Sequence, residues 1–432
     1  MVGEAIRKYG FWTMDFLRGR QLSSQYNDIK AIMENNELGE KKAREYLNNL
    51  LDHAVNTTKH YERFKGYKDL YDFPVLTKKD IKNEYEDFFS NKYRIDELVK
   101  VSTSGSYGTP LIFYLTKEKR SRQTAEALYF SKWSNYDIGM KYGYFRGLRT
   151  KSKIKSKIQN EYFVFSRIMN EEWKRSTRKL LKEKKIKILI DFPTAISEIA
   201  QYCHEQGDTP EDFSVVGVIT SSEPLLENQR KIIETTFGCQ CLSRYSTEEL
   251  GVLANECPKC KKHHINTASF KVEVLSLDSD KPAKEGEVGR IVVTDLFSYA
   301  MPLIRYETGD LGILGKSCSC GLEGPILEHL EGRETEMVYS TTGNKISPLF
   351  IEDIMCDFPG VFQYQFIQYG KKDYTLKVVN KEGVEFDADK AINYIKFWMG
   401  TDANVKIEFV DNIERLKSGK LPYVINYYNP QN

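Results

Sequence analysis

The chain has 432 residues, 41% hydrophobic and 29% charged, with 27 Tyr and 23 Phe. This composition supports a large packed core and excludes disorder and collagen-like or low-complexity architectures. Lys and Arg number 63 against 61 Asp and Glu, a net charge of +2, so nothing in the balance points to nucleic acid as a partner. The opening "MVGEAIRKYGFWTMDFLRGR" lacks an apolar signal core, and no window reaches the roughly 18 apolar residues of a spanning helix. The eight cysteines are too sparse for a disulfide scaffold, and a cytoplasmic location is the expectation.

From Lys41 to His60, the residues Ala43, Leu47, Leu50, Leu51 and Ala54 recur at intervals of three and four, predicting an amphipathic helix within a mostly helical first hundred residues. Short apolar runs then alternate with polar helical stretches: "IKILI" (186–190), "SVVGVI" (214–219), a helix over 224–236, and "GRIVVTDL" (289–296). That alternation predicts a layered α/β domain with a β-richer segment over 270–314. The pattern changes after the charged "EGRETE" (331–336). "FQYQFIQYGKKDYTLKVV" reads as a hairpin turning at Gly370, "INYIKFWM" as a helix and "VKIEFV" as a strand. The expected fold class is therefore α/β, with a large multi-layer domain over 1–332 and a small α+β domain over 333–432. Between Arg146 and Lys187 there are 15 Lys or Arg against 4 Glu. This stretch is either a solvated face or a surface for an anionic substrate, carrier or membrane headgroup.

The string "VSTSGSYGTP" (101–110) packs hydroxyls and glycines between a predicted strand and a helix, a loop suited to phosphate oxygens. It lacks the Gly-Lys-Ser/Thr of a Walker A loop. "TSSEPL" (220–225), "RYSTEELG" (244–251), "RYETGDLG" (305–312), "EGR" (331–333) and "SGKLP" (418–422) follow in that order. Together these motifs resemble the ANL superfamily of adenylate-forming enzymes. "FPVLTKKDI", "ANEC", "AMPLIRYETGDLG" and "CSCG" resemble in particular its phenylacetate–CoA ligase and CapK-like (capsular polysaccharide biosynthesis) branch.

The resemblance implies a reaction in two halves: a carboxylic acid is activated by ATP as an acyl-adenylate with loss of pyrophosphate, and the acyl group then passes to an acceptor. It implies an ANL-type N-terminal domain and a mobile C-terminal domain. It assigns Thr103, Ser104, Gly105, Ser106 and Gly108 to the phosphate loop and Ser222 and Glu223 to the adenine side. Tyr245 becomes the stacking aromatic, Glu249 the Mg²⁺-binding carboxylate with Glu248 as its substitute, Asp310 the ribose acceptor, Arg333 a ribose or phosphate ligand and Lys420 the catalytic lysine. Tyr107 and Ser246 depart from the usual Thr and Gly, and the acidic pair of the hinge at 333–336 is only partly kept. The departures leave room for a non-catalytic nucleotide-binding homologue. For the acceptor, the CapK-like features imply surface polysaccharide assembly, with an anionic or membrane-linked glycan at the inner face of the membrane; the phenylacetate–CoA ligase features imply CoA.

Cys257-Pro-Lys-Cys260 and Cys318-Ser-Cys320 form two short cysteine pairs about sixty residues apart. Four thiolates in this pattern suit a structural Zn²⁺, with His263 or His264 able to replace one ligand; unliganded thiols or a disulfide are the alternatives.

Overall fold

The computed structural model describes residues 2–103, 111–147, 151–318, 320–333, 337–346, 348, 350–355, 357–358, 360–380, 383–416 and 421–428. Helices Val2–Leu17, Gln21–Met33 and Asn36–Thr57 open the chain. The Asn35 side chain accepts from the Leu38 N–H and so caps the third of them, satisfying one of its orphan donors. The predicted stripe supplies Leu50, Leu51 and Ala54 to the largest core cluster.

Among the described residues, eleven strands hydrogen-bond into one sheet. Their order is 270–275, 289–295, 306–315, 326–333, 263–265, 251–256, 241–247, 217–220, 188–191, 142–146 and 161–165. The strand Cys241–Thr247 is the switch: it pairs antiparallel with 251–256 and parallel with 217–220. The central parallel strands, 188–191 and 217–220, are buried on both faces and accordingly read as apolar runs. Helices Glu171–Lys184, Pro193–Glu205 and Glu227–Phe237 cover one face. On the other, Tyr142, Ile188 and Ile219 pack with Tyr136, Met140 and Tyr144. The helix Lys117–Ser131 lies over 251–256, where Ala125, Tyr129 and Phe130 meet Val252.

The strand Ile326–Arg333 closes this unit, and a separate four-stranded sheet follows, in the order 404–409, 373–380, 361–368, 424–426. The expected hairpin is present, Val361–Gln368 against Asp373–Asn380, as are the helix Ala388–Met399 and the strand Asn404–Phe409. Phe350, Phe366, Leu376 and Ile395 make its core, which also takes in Leu226 of the first unit. The α/β class and the separate C-terminal domain follow the expectation.

No helix among the described residues is long and apolar enough to cross a membrane. Much of the basic stretch is paired. Lys151 meets Glu161 at 2.6 Å, Lys187 meets Glu4 at 2.7 Å, and Arg178 and Lys182 both reach Asp208. The short helix Lys153–Ile158 differs, with Ile154 74% and Ile158 68% exposed between its lysines.

Candidate active site

One large cavity, about 2010 Å³, opens at the carboxyl ends of the parallel strands and runs along the switch strand to the C-terminal unit. Open α/β sheets bind ligands at this edge, where strand direction reverses. Thr103, Ser222, Glu223, Tyr245, Glu249 and Asp310 all line it.

Thr103 ends the strand Val99–Ser102, and its hydroxyl accepts the Leu111 N–H at 3.0 Å, pinning the two ends of the phosphate-loop candidate together. Ser104, Gly105, Ser106 and Gly108 lie outside the described residues, as does Lys420. Ser222 has φ 73°, a left-handed turn that carries the chain from strand 217–220 toward helix 227–237.

The Tyr245 hydroxyl donates to Asp310 at 2.8 Å and contacts the Thr308 hydroxyl at 3.3 Å. Burial, together with the charge of Asp310, pushes the Tyr245 phenol well above its ordinary pKa, so it acts as a neutral donor. Glu249 is buried and accepts from the Tyr306 hydroxyl at 3.2 Å, whereas Glu248 is exposed and faces Arg146 at 3.6 Å. Gly251 lets the chain turn back directly after this acidic pair. Its φ is 112°, and a Cβ there would meet the Glu126 carboxylate at 2.4 Å. Arg333 stands opposite Asp310 in the register of strands 306–315 and 326–333.

Glu223 is held from both units. One carboxylate oxygen accepts the Leu421 N–H at 3.0 Å, and the other accepts the Thr194 hydroxyl at 2.7 Å. Arg415 donates to that same hydroxyl at 3.0 Å and lies 3.9 Å from Glu223. Gln229 adds a bond to the Tyr423 hydroxyl at 3.1 Å. These contacts join segments some 200 residues apart, and sequence reading had no signal for them. It likewise missed the ion pair of Arg146 with the buried Asp191, which has φ 103°, and it missed Arg244.

The cysteine pairs converge at one end of the antiparallel half. The Cys257–Cys260 turn joins strands 251–256 and 263–265, and Cys318 and Cys320 sit in the turn between 306–315 and 326–333. One potential ligand atom from each of Cys257, Cys260, His264 and Cys320 falls within 4.8 Å of the others. Cys318 Sγ is 3.4 Å from Cys260 Sγ, 2.9 Å from Cys320 Sγ and 3.2 Å from His264 Nε2. Tetrahedral Zn–S bonds of about 2.3 Å would space the sulfurs by about 3.8 Å, so the thiols would open by up to about 1 Å around the ion, and it is the soft, sulfur-rich donor set that suits Zn²⁺. It offers five donors for four positions, and His264 is the imidazole that sequence reading left as a substitute.

Residues 338–427 match the family model described as the CapK C-terminal domain. Protein CapK of Staphylococcus aureus is 23% identical over 443 aligned positions, covering 95% of this chain and 94% of that protein. The phenylacetate-coenzyme A ligase of Thermus thermophilus is 31% identical over 205 positions, 43% of this chain and 45% of that enzyme. Among solved structures, 2-hydroxyisobutyryl-CoA ligase in its postadenylation state superposes with a TM-score of 0.73 at 16% identity, covering 90% of each chain. In the thioesterification state the same ligase superposes at 0.60, with coverages of 92% and 91%.

Proposed function

On the premise that the chain is a homologue of CapK and of the phenylacetate-coenzyme A ligases, with the fold of the adenylate-forming superfamily, we propose that it is an adenylate-forming ligase. It activates a carboxylic acid with ATP as an acyl-adenylate, releases pyrophosphate and transfers the acyl group. The observation that carries this reading is the meeting of Thr103, Ser222, Tyr245, Glu249 and Asp310 on one cavity that the C-terminal unit closes through Leu421.

In this reading Asp310 accepts the ribose hydroxyls, Arg333 adds a ribose or phosphate contact, and the 103–108 loop donates to the phosphates. Mg²⁺ held by Glu249 would neutralise the phosphate charge that grows as pyrophosphate leaves. Lys420 supplies an ammonium to the same charge. The two units, divided near 332/333, reorient between the half-reactions.

For the acceptor, the resemblance of the sequence motifs to the capsular-polysaccharide branch, together with the near full-length relation to CapK, favours a role in surface polysaccharide assembly over simple CoA ligation. The exposed Ile154 and Ile158 among Lys153, Lys155 and Lys157 suit an anionic membrane surface, where a membrane-linked glycan would be met; co-sedimentation with anionic vesicles checks that placement. Thioester formation on CoA is the alternative and is read by supplying CoA to the adenylate.

ATP–pyrophosphate exchange driven by a library of carboxylic acids tests the central reading. Lys420→Ala should lower exchange by about two to three orders of magnitude, yet leave acyl transfer from a prepared acyl-adenylate near normal. No exchange with any acid, or a Lys420→Ala variant that retains exchange, would sink the assignment.

A further inference from the structure

The cavity contains a cation that none of the roles above employs. Register across the parallel strands aligns Asp191, Thr220 and Ser243 in one row, and Arg146, Ser221 and Arg244 stand one residue past it, at the carboxyl edge. Arg146 is bonded to the buried Asp191, which also accepts from the Ser221 hydroxyl at 3.0 Å. Its second carboxylate neighbour, Glu248, is solvent-exposed at 3.6 Å.

Arg244 differs. Among the described residues its guanidinium has only neutral hydrogen-bond partners, Asn255 Oδ1 at 3.4 Å and Ser131 Oγ at 2.9 Å. Burial lowers its pKa to about 10, and the nearby charge of Asp191 offsets only part of that. Two guanidiniums thus share one buried carboxylate at the cavity wall: Arg244 is half-buried, has only that shared counter-charge, and is incompletely neutralised until an anion arrives. Beside this row lies the apolar floor of Tyr136, Tyr144 and Ile190.

Resting on the adenylation reading, we propose that Arg244 receives a second carboxylate of the acid substrate, so that the substrate class is a dicarboxylic acid with an apolar body. The body lies on the tyrosine floor, one carboxylate is adenylated, and the other forms a charge-assisted bond with the Arg244 fork. A monocarboxylic acid of the same shape leaves Arg244 without its counter-charge and is disfavoured for that reason.

The test is ATP–pyrophosphate exchange with matched pairs: phenylacetate against its para-carboxyl derivative, and hexanoate against adipate. The expected wild-type preference in kcat/KM for a dicarboxylate over its partner is on the order of 100-fold, the scale of one charge-assisted contact. Arg244→Met should reduce this preference to about threefold or less by slowing the dicarboxylate alone, and Arg244→Lys should keep part of it. Wild-type enzyme that uses the monocarboxylates equally well overturns the proposal, and that comparison needs no variant to fold. Equal losses for both acids in Arg244→Met also overturn it, since Arg244 would then serve the reacting carboxylate or the fold. Exchange with no acid of either kind overturns the adenylation reading, and this inference with it.

Discussion

Tyr245 and Asp310 are joined by a 2.8 Å hydrogen bond although three strands separate theirs in the sheet order. At about 4.8 Å per strand, a flat sheet would hold them about 19 Å apart. The antiparallel half therefore curls back on itself and brings the ribose-acceptor candidate to the switch strand. Asp310→Ala should raise the dissociation constant for ATP by about 10- to 100-fold, the equivalent of about 1.5–3 kcal/mol for bonds to a charged acceptor. Tyr245→Phe removes one neutral donor and should change it less than about tenfold. Calorimetry finding unaltered affinity in Asp310→Ala would remove the ribose assignment.

Purified protein should hold about one Zn²⁺ per chain, and a strong chelator should lower its melting temperature. Cys257→Ser and Cys320→Ser should both lose the metal. His264→Ala tells whether the imidazole or Cys318 occupies the fourth position: zinc content unchanged in His264→Ala assigns it to Cys318. Elemental analysis with no zinc in wild type would end the metal hypothesis.

Glu223 holds the C-terminal unit through the Leu421 N–H, directly beside Lys420 in the chain. Glu223→Gln keeps the shape but weakens a charged acceptor, so pyrophosphate exchange should fall by about tenfold or more. Transfer from a prepared acyl-adenylate should be spared if, as proposed, that half-reaction uses another orientation of the unit. Stopped-flow measurement of both halves checks this; equal losses would mean that Glu223 serves only the fold.

Burial pushes the Asp208 carboxyl upward in pKa, but the bonds from Arg178 and Lys182 outweigh it and leave the group below its ordinary value. A carboxylate with a depressed folded pKa contributes stability above its unfolded value of about 3.9, and the contribution is lost as pH falls through the folded value. Arg178→Met should therefore destabilise the protein at pH 7 by about 1–2 kcal/mol, discounted because Arg178 is 32% exposed. Urea titrations should show the gap narrowing below about pH 4; a pH-independent gap would point to lost packing of the arginine stem instead.

The elements with strong local signals were legible in the chain: the helix stripe ending at Thr57 buries one repeated face, the 361–380 hairpin is marked by its turn at Gly370, and the parallel strands appear as short apolar runs. What stayed hidden was nonlocal. No spacing rule pairs Arg146 with Asp191 or Glu223 with Leu421, because strand order and domain docking create those contacts. "HHI" could not reveal which imidazole meets the thiols. That depends on the phase of a three-residue strand, which sends His264 to the cysteines while His263 lines the large cavity. Arg244 reads in sequence as one more basic residue before a tyrosine; what sets it apart is its half-buried place on the cavity wall with only neutral hydrogen-bond partners among the described residues.

Because neighbouring side chains on a strand point to opposite faces, Arg244 and Tyr245 address different parts of the same cavity from adjacent positions in strand Cys241–Thr247. A single codon change at 244 can therefore reset which molecule is accepted while the contact to Asp310 stays intact. Inserting or deleting one residue in that strand would swap the two faces and lose both. Within Cys241–Thr247 a point substitution is therefore the tolerable way to change the acid accepted, and an insertion or deletion the costly one.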